Sequence, residues 1–177
     1  IYVESGSILI NECYEGMESL IINIAGGDIT IYPTDDGLNA NGYSGSGFGG
    51  MGGGMRGQRG GDGDFDPSAE ESDPETDDGE EESYIIITGG NLTIINEDAN
   101  DADGIDSNGA VYIYDGNIFV SLNGNGSNNA IDFGSENGGV CEVYGGTVIA
   151  CGGSSMAENF DASSTQPSFM YNTSSIE

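Results

Sequence analysis

Tyr84-Ile85-Ile86-Ile87-Thr88-Gly89-Gly90-Asn91-Leu92-Thr93-Ile94 is the stretch on which the fold turns. It holds two short apolar runs, each too short for a helix, hinged on a Gly-Gly corner. The same figure recurs along the chain. Ile1-Tyr2-Val3 precedes Gly6 and Ile8-Leu9-Ile10 follows it; Ile21–Ile24 and Ile29-Thr30-Ile31 flank Gly27. Val111-Tyr112-Ile113 and Ile118-Phe119-Val120 flank Gly116, and Cys141-Glu142-Val143 and Val148-Ile149-Ala150 flank Gly146. A second motif closes most units: Glu15-Gly16-Met17-Glu18, Asp36-Gly37-Leu38-Asn39, Asp103-Gly104-Ile105-Asp106 and Asn129-Ala130-Ile131-Asp132.

Internal repetition of this kind, with two short strands and two sharp corners per unit, predicts an all-β protein in which about five coils stack as a β-solenoid. Strand alternation then assigns faces. Ile22, Ile85, Val111 and Cys141 form one inward column, Ile24, Ile87, Ile113 and Val143 a second, and Ile29, Leu92, Ile118 and Val148 a third. A single unit has nowhere to bury such a face, so the units are expected to stabilise one another by stacking.

Residues 41–83 break the pattern. They are rich in glycine, then in acids with Pro67 and Pro74, and contain Arg56 and Arg59, the only two basic residues of the chain. This composition has little to bury and predicts a flexible insertion within one coil of a single domain spanning 1–177. The strand pattern is already running at Ile1, which leads us to expect that the chain is a piece of a longer protein.

Charge bounds the partners. The 177 residues carry 31 acids against those two arginines, a formal charge of −29, and no histidine. Nucleic acid and anionic membrane need basic side chains to displace their counterions, so neither is a direct partner. No segment approaches the length of a membrane span. Outside the insertion no carboxylate has a basic side chain to pair with, and bound divalent metal is the physical expectation. Cys13, Cys141 and Cys151 are an odd set without zinc spacing. The Asn-x-Ser/Thr sequons at Asn91, Asn125 and Asn172 are what an Asn- and Ser-rich composition produces by chance.

In the stacked arrangement Glu15, Asp36, Asp103 and Asn129 fall in one corner column, and Glu18, Asn39, Asp106 and Asp132 in another three residues on. Calcium takes six to eight oxygens from carboxylates, amides and backbone, and suits such a corner. The metal candidates are therefore Glu15, Glu18, Asp35, Asp36, Asn39, Asp103, Asp106 and Asp132. The other account of these residues is that they brace their own turns. An EF-hand is excluded, because its first and twelfth positions would be Ala99 and Ala110.

Sugar-binding candidates come from the outward faces. Tyr112, Tyr114 and Tyr144 line up as an aromatic strip, with Phe119 outward on the following strand; such rings can cover the apolar faces of sugars. The same tyrosines could instead stack on one another and stabilise a sheet. With no histidine, no lysine and no arginine outside the insertion, the chain has no basic side chain in its repeats to abstract a proton or clamp an acidic substrate. It reads as a binding protein and not an enzyme.

The order of blocks is itself informative. Tyr14–Glu18, Gly26-Gly27-Asp28-Ile29-Thr30-Ile31, Asp35–Ala40, the Gly/Met-rich segment after it, Asp103–Gly109 and Gly145–Val148 together resemble the calcium-containing, cellulose- and pectin-binding β-helix proteins of the Cthe-type carbohydrate-binding domain family. The resemblance implies a right-handed parallel β-helix similar in shape to pectate lyases, calcium bound in the coils, an extracellular or cell-surface location, and affinity for pectin- or cellulose-like polysaccharide. A structural spacer or a filament subunit that self-associates end to end is the alternative function, and a lyase-like enzyme a more distant one.

Overall fold

The computed structural model describes residues 1–41, 82–98, 102–124 and 127–173. The chain divides into a unit of Ile1–Tyr43 with Glu81–Glu177 and a second unit of Ser44–Glu80. Apart from Asn41, Glu82 and Ser83, the expected insertion lies outside the described residues, as does the sequon at Asn125. The first unit reaches slightly into the range expected for the insertion. Ser83 is buried and its carbonyl accepts from the Ala110 N–H, while Asn41 Oδ1 accepts from Asn108 Nδ2 at 2.6 Å.

The described protein is all-β, with a single 3₁₀ turn at Ser135–Asn137. Fourteen strands follow one another in a repeating order. The first repeat contributes β1 (Tyr2–Val3), β2 (Ser7–Cys13) and β3 (Met17–Glu18); the next contributes β4 (Ile21–Ile24), β5 (Asp28–Pro33) and β6 (Leu38–Ala40). Then come β7 (Tyr84–Ile87), β8 (Asn91–Asn96) and β9 (Ile105–Ser107), followed by β10 (Ala110–Ile113), β11 (Asn117–Leu122) and β12 (Ile131–Phe133). The last repeat has β13 (Cys141–Val143) and β14 (Thr147–Cys151).

Equivalent strands pair, always in parallel. Sheet A runs β1-β4-β7-β10-β13, sheet B β2-β5-β8-β11-β14 and sheet C β3-β6-β9-β12. The result is a solenoid-like parallel fold. Its register is the one that alternation predicts. Ile22, Ile85, Val111 and Cys141 are Cα partners in turn, as are Ile24, Ile87, Ile113 and Val143, and Ile29, Leu92, Ile118 and Val148. All of these side chains are buried except Val148, which is half-buried on the last strand of sheet B. Each buried Ile or Val contributes about 1.5–3 kcal/mol, and only stacking makes that burial available.

Two glycine columns shape the corners. Gly6, Gly27, Gly90, Gly116 and Gly146 all have φ between +85° and +113°, a conformation in which any side chain is strained. Gly37 and Gly104 are held for a different reason. A Cβ on Gly37 would lie 2.5 Å from the Gly104 carbonyl oxygen, and one on Gly104 would lie 2.6 Å from that of Ala130. Backbones of successive repeats approach too closely there for a methyl group.

The last strand of sheet A does not present a bare edge. The segment around Asp161–Gln166 lies along β13. Asp161 Oδ2 accepts from the Cys141 N–H at 2.6 Å and Ser164 Oγ from the Val143 N–H at 3.0 Å. The Asp161 N–H returns a bond to the Cys141 carbonyl, and those of Thr165 and Gln166 to the Val143 carbonyl. Phe160 packs against the core beside it.

Candidate metal centre

The corner between sheets B and C gathers the acids. Backbone bonds from Gly16 to Asp36, Gly37 to Asp103 and Gly104 to Asn129 carry the ladder through it, so Glu15, Asp36, Asp103 and Asn129 stand one above another. Three residues on, Glu18, Asn39, Asp106 and Asp132 are successive Cα partners. Both columns expected from the sequence are therefore present in register.

Side chains tie the columns together. Asp36 Oδ1 accepts from the Asp103 N–H at 2.7 Å, and Asp103 Oδ1 from the Asn129 N–H at 2.8 Å. Each acid thus braces the backbone of the next repeat, which is the turn-stabilising role. Asn39 Nδ2 donates to Glu15 Oε2 at 3.3 Å and to Asp36 Oδ2 at 3.2 Å. Asn129 Nδ2 donates to Asp132 Oδ1 and to the Met156 carbonyl.

Turn bracing does not account for everything. Asp103, Asp106 and Asp132 each bring one carboxylate oxygen within 4.8 Å of the other two. Oxygens bound to one calcium at about 2.4 Å are at most about 4.8 Å apart, and the three meet that pairwise limit. Burial pushes the Asp106 carboxyl up to about 7, helped by Asp36, Asp103, Asp132 and Glu15 around it. Glu15 is also pushed up to about 7, by burial first and then by Asp36. Burial raises Asp132 as well. Asn39, 6% exposed, turns its amide nitrogen to Glu15 and Asp36 and leaves its Oδ1 buried without a hydrogen-bond partner. That oxygen belongs to the residue stacked between Glu18 and Asp106. A corner with repelled carboxylates and an unsatisfied amide oxygen fits a hard cation in the way that oxygen-ligand calcium sites require.

The remaining metal candidates stand outside the cluster of three. Glu15, Asp36 and Asn39 form the adjoining group around Asn39 Nδ2. Glu18 is exposed in its ladder position, and Asp35 hydrogen-bonds to the Tyr14 hydroxyl, raising that phenol. No family model, curated protein or solved structure matches the chain.

The sugar candidates divide between two faces. On sheet A, Tyr114 and Tyr144 stack with ring centroids 5.0 Å apart and planes 13° from parallel. These two rings turn a face toward each other along the column. Tyr144 Oη also donates to Glu142, whose other carboxylate oxygen accepts from Ser163 Oγ at 2.5 Å. Tyr112 lies two residues before Tyr114 on the same outward face, half-buried. Phe119 stands apart from them, exposed on sheet B. Its row runs Leu9, Thr30, Thr93, Phe119, Ile149 by Cα pairing.

Sequence reasoning did not find Asp161 or Ser164. Neither sits in a repeat, and the segment that carries them has no strand alternation to signal that it follows β13.

Proposed function

We propose that this chain forms part of a right-handed parallel β-helix that binds calcium in its acidic corner. It serves outside the cell or at its surface as a module for pectin- or cellulose-like polysaccharide, and is not an enzyme. The observation that carries the reading is the convergence of Asp103, Asp106 and Asp132 within 4.8 Å, in a body whose sequence supplies no basic side chain to neutralise them. The parallel pairing of equivalent strands in three sheets supports the helix, and the right hand is the one that the family resemblance implies.

Asp103, Asp106 and Asp132 would hold the ion, with Asn39 Oδ1 the nearest unsatisfied amide oxygen along the ladder. Calcium supplies positive charge where an approaching uronate carboxylate would otherwise meet only acids. The chain's own part is to fix the carboxylates: Asn129 holds Asp132, and Asp103 is held through the Asn129 N–H. A carboxyl raised to about 7 is also what a glycosidase acid requires, but an ion bound at Asp106 keeps that group deprotonated and unable to donate a proton.

Calcium-controlled retention on insoluble polysaccharide tests the proposal. The folded chain is expected to be retained on polygalacturonate in calcium and released by chelator, and Asp103→Asn with Asp106→Asn to abolish the difference. A folded, calcium-loaded chain retained on neither polygalacturonate nor microcrystalline cellulose overturns it.

A further inference from the structure

The outer face of sheet B carries exposed apolar side chains. Its central row is Leu9, Thr30, Thr93, Phe119 and Ile149, of which Leu9 is 68%, Phe119 40% and Ile149 50% exposed. Two residues further along each strand a second outward row includes Tyr32, 39% exposed, and Ser121. Neither row bears a charge, although the chain carries −29. The one acid facing outward at the near border, Asp28, is held by Asn91 Nδ2 at 2.6 Å, and Asn91 in turn by Asn117. Five parallel strands at a spacing of about 4.8 Å make the central row about 19 Å long. The two rows are uncharged and partly apolar, with Glu12 exposed at the bulge that ends β2, and make an exposed patch of the kind that marks an interaction site.

We infer that this face is a docking surface for an uncharged polysaccharide, separate from the acidic corner. The inference rests on the reading of the chain as a polysaccharide-binding module. Charge decides the occupant. A second copy of the chain brings another −29 and is repelled. A polyuronate gains nothing from a face without cations. A purely apolar partner would leave the hydroxyl groups of Thr30, Thr93, Tyr32 and Ser121 without a role. Sugar rings without carboxylates match both components, their C–H faces against Phe119 and Ile149 and their hydroxyls against the hydroxyl-bearing residues between. The tyrosine strip of sheet A is less suited, because Tyr114 and Tyr144 already share ring faces with each other.

Retention of the whole chain on microcrystalline cellulose and on calcium-loaded polygalacturonate gel separates the possibilities. Phe119→Ala with Ile149→Ala is expected to weaken cellulose binding about tenfold, with the melting temperature and polygalacturonate retention unchanged. Phe119→Tyr keeps the ring and is expected to bind cellulose like the parent, as is Tyr114→Ala. If the double variant binds cellulose as tightly as the parent, or the parent binds polygalacturonate alone, the inference falls and the module reading stands. If the parent binds neither polymer, both fall.

Discussion

Asp106 concentrates the energetics of the acidic corner. Its folded pKa is raised to about 7 from 3.8, so between those values the folded chain holds a proton that the unfolded chain has released. The resulting contribution to stability is complete below pH about 4 and is lost as pH rises through 7. Metal-freed protein is therefore expected to melt lower at pH 8 than at pH 5, with Glu15 acting in the same direction. Calcium held in the proposed site would select the deprotonated corner and is expected to reverse the trend. At a hundredfold excess over its Kd the ion adds about 2.7 kcal/mol, a rise of about 5–10 °C for a chain of this size. Asp106→Asn is expected to raise the melting point of the metal-free protein at pH 8 and to remove most of the calcium-induced rise. An unchanged melting point on chelation of the parent would count against the site. Gly104 gives a purely steric counterpart. Its missing Cβ would meet the Ala130 carbonyl oxygen and Val120, so Gly104→Ala is expected to cost about 1–3 kcal/mol, read from the urea midpoint. The sequence showed a glycine in that column, and alanine at 130, because the motif is periodic. It did not show which oxygens converge, because that depends on rotamers: Asn39 was legible as a candidate, but not that its Oδ1 is buried without a hydrogen-bond partner.

At the scale of elements, the sheets were legible and the edge of one was not. Column assignments followed from a period of two with one glycine per corner, and the observed pairings of β4, β7, β10 and β13 agree with them residue for residue. The Tyr114–Tyr144 stack follows from the same register. A double-mutant cycle on the pair is expected to give a coupling of about 0.5–1.5 kcal/mol; zero coupling would mean that the rings merely share a column. The segment along β13 is a different case. It satisfies the edge with the side chains of Asp161 and Ser164, a solution that leaves no alternating pattern to read. Asp161→Ala with Ser164→Ala leaves the outer N–H groups of Cys141 and Val143 unbonded. Their amide exchange is expected to accelerate at least about tenfold while amides of β7 stay protected. Uniform acceleration through sheet A would instead show a global loss of stability. Covering β13 also bears on end-to-end assembly, since a neighbour would have to displace this segment before pairing with that strand.

At the scale of the whole molecule, the described repeats form a series in which each strand pairs with its equivalents before and after. The series is not evenly strung, however. Ser107 of β9 and Ala110 of β10 are nearly adjacent in sequence, whereas Ala40 of β6 and Tyr84 of β7 are separated by residues 41–83, although β4 and β7 pair over four residues without a register shift. The entropy lost in bringing chain ends together grows with the logarithm of the length between them. Order in time should therefore differ from order in sequence. The three later repeats are expected to become protected first in pulse-labelled hydrogen exchange during refolding, with β4 and β5 joining them afterwards, and replacing residues 44–80 by a short Gly/Ser link should draw the two phases together. A single phase in the parent would mean that the long connection imposes no delay on assembly. A biosynthetic corollary follows: on a ribosome, which delivers β4 before β7, the edge on which β7 closes would stand open until residues 41–83 and the strand after them had emerged.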